Sequence, residues 1–146
     1  MADALDFTGK TVLVVGGSSG IGNGIAQGFR AHGASVHVWG TRAKAADYSI
    51  AEGSDLTGLH YAHVDVSDFV TVETLKANFK TLDVLVLSQG TVLYKRGEFQ
   101  MEGFQKVMDL NLNSLMACAI KFHDMLAASK GSLITVSSTA DRKSVV

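Results

Sequence analysis

Hydrophobic positions along the chain alternate between two periods. Short β-rich runs occupy 11–15, 35–39, 59–66, 82–87 and 132–136. The first, fourth and fifth are almost unbroken apolar segments, which predicts strands covered on both faces. Between the runs the spacing turns helical. Ile21, Ile25, Phe29 and His32 share one stripe, and Gly33 supplies a left-handed stop. Val72, Leu75 and Phe79 form a second stripe behind an N-cap at Ser67 or Asp68. Segment 101–129 is long enough for one or two helices, with Phe104, Val107, Met108, Leu112, Leu115 and Met116 on its apolar side. Strand, helix and strand in repetition predict right-handed βαβ crossovers. The expected architecture is an α/β, doubly wound parallel sheet of about five strands in one domain over 1–146, with no repeat beyond the βα unit.

Composition narrows the function more than the fold. At 146 residues the chain can bury roughly 70% of its unfolded surface around one core. It is 47% hydrophobic and 18% charged, in the range of folded globular chains. The formal net charge is −1 and no basic cluster exceeds two neighbours, which argues against a nucleic-acid partner. The single cysteine, Cys118, allows no internal disulfide and sits in an apolar helical stretch, where it reads as a buried structural thiol. Residues 1–6 are acidic and lack the flank and apolar run of a signal peptide, and no apolar run approaches the ~20 residues of a membrane span. The expected address is the cytoplasm, away from membranes. His60 and His63, three apart on a strand, face opposite sides and are read as non-ligands, so no metal is expected. Tyr94-Lys95-Arg96 reads as a solvated loop.

The chemistry concentrates after the first strand, which runs directly into Gly16-Gly17-Ser18-Ser19-Gly20-Ile21-Gly22 and then a helix. Glycines spaced Gly16-x-x-x-Gly20-x-Gly22 permit positive φ and remove side chains that would obstruct a diphosphate. The following helix points its free N–H groups and the positive end of its dipole at the same place. Ser18 and Ser19 add hydroxyl donors, and a nearly neutral protein thereby acquires a local anion seat. Two other phosphate loops fail by position. A Walker A loop needs lysine where Asn23 stands; Gly9-Lys10-Thr11 precedes the strand, with Ala4 at the first glycine's place. The Gly-x-Gly-x-x-Gly spacing fails because Ile25 follows Gly20-x-Gly22. A glycine-rich turn without a ligand is the remaining bland reading.

This turn resembles the fingerprint of the short-chain dehydrogenase/reductase family, a Rossmann-like fold, and further landmarks follow in the family's order over essentially the whole chain. Asp65-Val66, ending the third run, is similar to the family's Asp-Val/Leu pair at the adenine ring. Leu87-Ser88-Gln89-Gly90 occupies the place of its Asn-Asn-Ala-Gly, with only the glycine, Gly90, retained and Ser88 standing where the family has asparagine. Asn111 matches its helix asparagine, and Ser137-Ser138 its serine pair, Ser138 being the catalytic member. Val15 departs from the family's usual threonine. The resemblance implies strand order 3-2-1-4-5 and a cofactor site of Gly16, Ser18, Ser19, Gly20, Ile21, Gly22, Asp65, Val66, Ser88 and Gly90. It also implies a homo-oligomer, dimer or tetramer, built through 101–129. The reaction expected is hydride transfer between a nicotinamide and a small-molecule carbonyl or secondary alcohol.

Enzymes of this kind that use NAD commonly end the second strand with a carboxylate on the ribose hydroxyls. Here Gly40 takes that place and Arg42 follows two residues later, which favours NADP(H) through pairing with a 2′-phosphate, unless Arg42 simply faces water. The family's proton donor is a tyrosine followed four residues later by lysine. Tyr48, Tyr61 and Tyr94 are followed at that distance by Glu52, Asp65 and Glu98, so none makes the motif. In the family it falls shortly after the serine pair, so it is expected past Val146, and the fold is expected to be incomplete. The 146 residues alone are expected to be inactive and, with the fifth strand an open edge, prone to associate. The alternatives are a short, non-catalytic nucleotide-binding or dimerisation module, and a different Rossmann-like enzyme such as a methyltransferase. The latter would want an acid at Gly40 and leaves Ser137-Ser138 unexplained.

Overall fold

A computed structural model describes residues 5–138. Residues 1–4, part of the acidic start, and 139–146 lie outside the described residues. Five parallel strands, β1 (Thr11–Val15), β2 (Ser35–Gly40), β3 (His60–His63), β4 (Val84–Leu87) and β5 (Ser132–Thr135), pair in the order β3-β2-β1-β4-β5. That is the predicted order. The reversal between β1 and β4 opens a crevice at the sheet's carboxyl edge, where open α/β sheets bind ligands.

Alternation along β1 and β4 builds two cores. Leu13, Val15, Leu85 and Leu87 face one side with Trp39, Cys118 and Phe122. Val12, Val14, Val84 and Val86 face the other, against Ala26, Ile25 and Phe29 of α1 (Gly20–Ala31). Full burial of a valine or leucine is worth about 1.5–3 kcal/mol, so these central strands fix the platform. Asp83 ties its start: its carboxylate accepts from the Thr11 amide at 2.9 Å and from Lys10 Nζ at 3.2 Å. Cys118 is fully buried, and burial pushes its thiol up to about 12, as an inert structural thiol requires.

The helices depart from expectation in informative ways. α1 ends as predicted, with Gly33 at φ +91°, but Ile21 is 72% exposed and leaves the stripe that Ile25 and Phe29 complete. α2 (Phe69–Thr74) is capped by Asp68, which accepts from the Thr71 amide at 3.0 Å. It stops before the predicted stripe does. Leu75 turns extended at ψ 129°, and Leu75 and Phe79 reach the core from outside the helix. Lys121 explains where it stops, donating to the carbonyls of Glu73 and Leu75 at 3.2 and 2.5 Å.

Segment 101–129 forms one continuous helical run. It comprises α3 (Met101–Met108), a π turn over Asp109–Asn113 and α4 (Ser114–Ser129). Phe104, Leu112 and Met116, expected inside, are exposed; the inward face carries Leu110, Leu115, Cys118 and Phe122. The π turn adds a residue to the local repeat and rotates one stripe away from the other.

The third predicted strand is longer than the observed one. The amide of Val64 still reaches the Gly40 carbonyl at 2.9 Å, but β2 ends there and offers no further partner. Val64 and Val66 stay buried nonetheless. β5 is an edge strand among the described residues, and Leu133 and Ile134 on it are exposed, not covered on both faces as expected. Among those residues no helix is long and apolar enough to cross a membrane.

Candidate functional site

The turn after β1 is shaped by contacts that tolerate only glycine. Gly16 has φ +76°, and a Cβ there would lie 2.9 Å from the Gln89 amide nitrogen. A Cβ on Gly22 would lie 2.2 Å from the Gly16 carbonyl oxygen and 2.4 Å from Ser88 Oγ. These approaches press the turn and the start of α1 against the end of β4. Ser88 is held in turn by donating to the Val15 carbonyl at 2.8 Å. Gly20 differs: at φ +55°, its missing side chain would meet nothing within 4 Å.

That open space adjoins the N-terminus of α1. Ser19 is the N-cap residue and makes no side-chain cap, and the first intrahelical bond runs from the Asn23 amide to the Ser19 carbonyl at 3.1 Å. The amides of Gly20, Ile21 and Gly22 therefore point out of the helix end. Two features coincide here, uncapped donors and absent side chains. Together they make a seat for an anion.

The seat opens into a cleft of about 330 Å³ lined by Gly16, Ser18, Ser19, Ile21, Gly22, Trp39, Gly40, Thr41, Val64, Val66, Ser88 and Gly90, among others. A wider lobe of about 930 Å³ shares Ile21, Ser88, Gln89 and Gly90 with it and continues to Thr91, Tyr94, Asn111, Val136 and Ser138. The carboxyl ends of all five strands contribute to this wall. Asn111, on the π turn, accepts from the Thr91 amide at 2.7 Å and donates to the Thr91 carbonyl at 2.9 Å. It anchors the loop after β4 and lines the same lobe as Ser138.

Most residues singled out in the sequence thus share one cleft, but Gly20, Asp65 and Arg42 do not line it. Asp65 accepts from the amide and hydroxyl of Ser67 at 2.9 and 2.6 Å, a turn-stabilising role. Its neighbours Val64 and Val66 line the cleft instead. Arg42 points its guanidinium Nη1 at Glu52 Oε2, 3.0 Å away, and at the Asp47 carbonyl, and it lies over the Tyr48 ring at 4.6 Å. The hydrogen bond to Glu52, chiefly, raises its pKa further.

The structure also explains Gly40. A Cβ there would fall 2.5 Å from Ser18 Oγ and 2.7 Å from the Tyr48 hydroxyl, so the space an acid would need is filled by two hydroxyls. Burial works to raise the Tyr48 pKa, but bonding with Ser18, Tyr61, Arg42 and Thr41 outweighs it and lowers the value. Tyr61 moves the other way, through burial and then Tyr48, and keeps its proton on the Arg42 carbonyl. Trp39, Tyr48 and Gln89 were not among the site residues expected from the sequence. Position alone, at strand ends, could have flagged Trp39 and Gln89; nothing local marks Tyr48. Tyr94, read as a solvated loop residue, is exposed but sits on the rim of the wider lobe. His60 stacks on His37 with ring centroids 4.6 Å apart, and no group of metal-ligating residues occurs among the described residues.

Comparison with known proteins agrees with this geometry. The family described as short chain dehydrogenase matches residues 10–146. The chain is 36% identical over 140 residues to a 3-oxoacyl-[acyl-carrier-protein] reductase FabG of Chlamydia muridarum, covering 88% of this chain and 55% of that one. It is 30% identical to a 2-dehydro-3-deoxy-L-rhamnonate dehydrogenase (NAD(+)) of a Sphingomonas species, covering 94% and 57%. Among solved structures it resembles a Pseudomonas aeruginosa RhlG/NADP active-site complex, with TM-score 0.78 and 28% identity over 100% of this chain and 61% of that one. The chain therefore spans a little over half the length of these relatives.

Proposed function

Because the chain belongs to the short-chain dehydrogenase family, we propose that its cleft binds the diphosphate and adenosine of a nicotinamide dinucleotide and forms part of an oxidoreductase site for a small carbonyl or secondary alcohol. One observation carries the reading: the uncapped start of α1, with Ser19, Ile21 and Gly22 on the wall, opens into the cleft that continues to Asn111 and Ser138. When bound, the nicotinamide supplies hydride exchange with the substrate carbon. The chain's own part is to hold and orient. The amides of Gly20, Ile21 and Gly22 receive the diphosphate, with Ser19 at the same helix end and Gly16 and Ser18 lining the wall. Val66, Ser88 and Gly90 line the nucleotide side, with Asp65 one residue behind it. Ser138 positions a substrate oxygen, and Asn111 fixes the loop beside it.

NADP(H) is the favoured nucleotide. The reason is local: no carboxylate stands at Gly40, and a guanidinium lies two residues on. The relatives divide on the point, one named for NAD(+) and another solved with NADP. Around the site, the reading includes one nucleotide-binding domain over 1–146, a cytoplasmic address and assembly through 101–129.

No tyrosine of the 146 residues has lysine four positions later. The expected behaviour of this chain by itself is therefore nucleotide binding without turnover, since losing a general acid costs roughly 10²–10⁴ in rate. Trp39, the single tryptophan, lines the cleft and serves as the reporter. Titration with NADPH should quench its fluorescence saturably, while NADPH oxidation with a carbonyl substrate stays at background. Quenching no greater than that from free nicotinamide would sink the binding reading. Turnover at enzymatic rates would sink the claim of inactivity.

A further inference from the structure

We infer that Glu52 sets the balance between 2′-phosphorylated and plain-ribose nucleotides at this cleft by neutralising Arg42. The inference rests on the nucleotide reading above and goes beyond it by naming what governs the choice.

Gly40 and Thr41 line the cleft, and Arg42 is the next residue, its amide donating to the Tyr48 hydroxyl at 3.1 Å. The side chain is fixed on three sides: the Tyr48 ring beneath it, the Asp47 carbonyl, and Glu52 at 3.0 Å. Both hydrogen bonds of the guanidinium use Nη1, leaving Nε and Nη2 for another acceptor. A planar fork with one edge held and the other available suits a phosphate.

Charge opposes the fit. The Glu52 carboxylate cancels the Arg42 charge, and a phosphate dianion that reaches Arg42 must approach that carboxylate as well. A nucleotide with a free 2′-hydroxyl has no such penalty. The Arg42 and Glu52 side chains are 45% and 57% exposed, so solvent weakens their pair and a stronger anion can compete for it. Glu52 ends a three-residue 3-10 turn at Ile50–Glu52, is not part of either core, and has Arg42 as the main partner of its carboxylate, with Ser49 a lesser one. It acts through Arg42, as a specificity-determining neighbour of the site.

The test is Trp39 quenching by NADPH and NADH in the unsubstituted 146-residue chain, Glu52→Gln, Arg42→Ala and the double variant, at low and high salt. Glu52→Gln should tighten NADPH roughly threefold to tenfold while leaving NADH unchanged, with the gain shrinking at high salt. In the Arg42→Ala background the same substitution should do nothing. An NADPH-to-NADH ratio that is unmoved or lowered by Glu52→Gln, or raised equally without Arg42, overturns the role of Glu52 alone. If neither nucleotide quenches Trp39 in the unsubstituted chain, the nucleotide site itself is overturned.

Discussion

At Gly22 there is no room for even one methyl group. Its Cβ would lie 2.2 Å from the Gly16 carbonyl and 2.4 Å from Ser88 Oγ, itself held on Val15, so neither neighbour yields cheaply. Gly22→Ala should therefore cost about 1–3 kcal/mol in a denaturant melt, as overpacking does. Gly20→Ala separates stability from binding. Its methyl meets no protein atom and carries only the penalty of positive φ, about 1–2 kcal/mol. It would nonetheless occupy the proposed phosphate seat, and NADPH affinity should fall on the order of tenfold, about 1.4 kcal/mol. Equal NADPH affinity for Gly20→Ala and the unsubstituted chain would place the anion elsewhere. Glycine spacing was readable because what a glycine permits is local to its turn. The Arg42–Glu52 pair was not. It spans ten residues and depends on how two short 3-10 turns fold back on β2.

At the scale of elements, periodicity located the strands well and misjudged two helices. The stripe Val72, Leu75 and Phe79 is genuine as a set of core contacts, yet α2 ends at Thr74 because Lys121, far away in sequence, takes its last carbonyls. The π turn likewise shifted Leu112 and Met116 into solvent, a register change that no 3.6-residue template contains. Strand pairing creates a pH response. His37 and His60 are direct partners across β2 and β3, stacked at 4.6 Å, and Phe79 closes on His37 at 4.7 Å. Burial first, and His60 second, lowers the pKa of His37. An imidazole depressed in the folded state is neutral there while the unfolded chain takes up a proton below ~6.5. Its contribution is thus intact above that pH and drains away as pH falls toward the lowered value. The urea midpoint should decline as pH falls below about 6.5, and His37→Phe should flatten that decline. An unchanged slope in His37→Phe would transfer the effect to other groups.

For the whole molecule, the alternation of strand and helix gave the parallel sheet, and the resemblance carried by the motifs at the strand ends gave its order and the edge at which the cleft lies. The surface was less legible, because a stripe cannot announce which side will find a partner within the same chain. Leu112, Met116 and Ile120, spaced four apart, are all more than half exposed, and Phe104 on α3, across the π turn, is exposed as well. At one end of the sheet order, β5 is an edge strand among the described residues, with Leu133 and Ile134 exposed. Either surface could drive association, and they differ in kind. The helical row would bury side chains in a closed, symmetric contact, whereas a free edge adds backbone bonds without limit. The row of side chains on α4 is apolar, which favours a discrete dimer or tetramer through 101–129. Sedimentation of the 146-residue chain should accordingly show a defined oligomer. Met116→Lys with Ile120→Glu should return it to monomer, and Ile134→Lys on β5 should leave it assembled. The reverse pattern, with the β5 substitution dissolving an open-ended aggregate and the helical pair inert, would move the interface to the sheet edge.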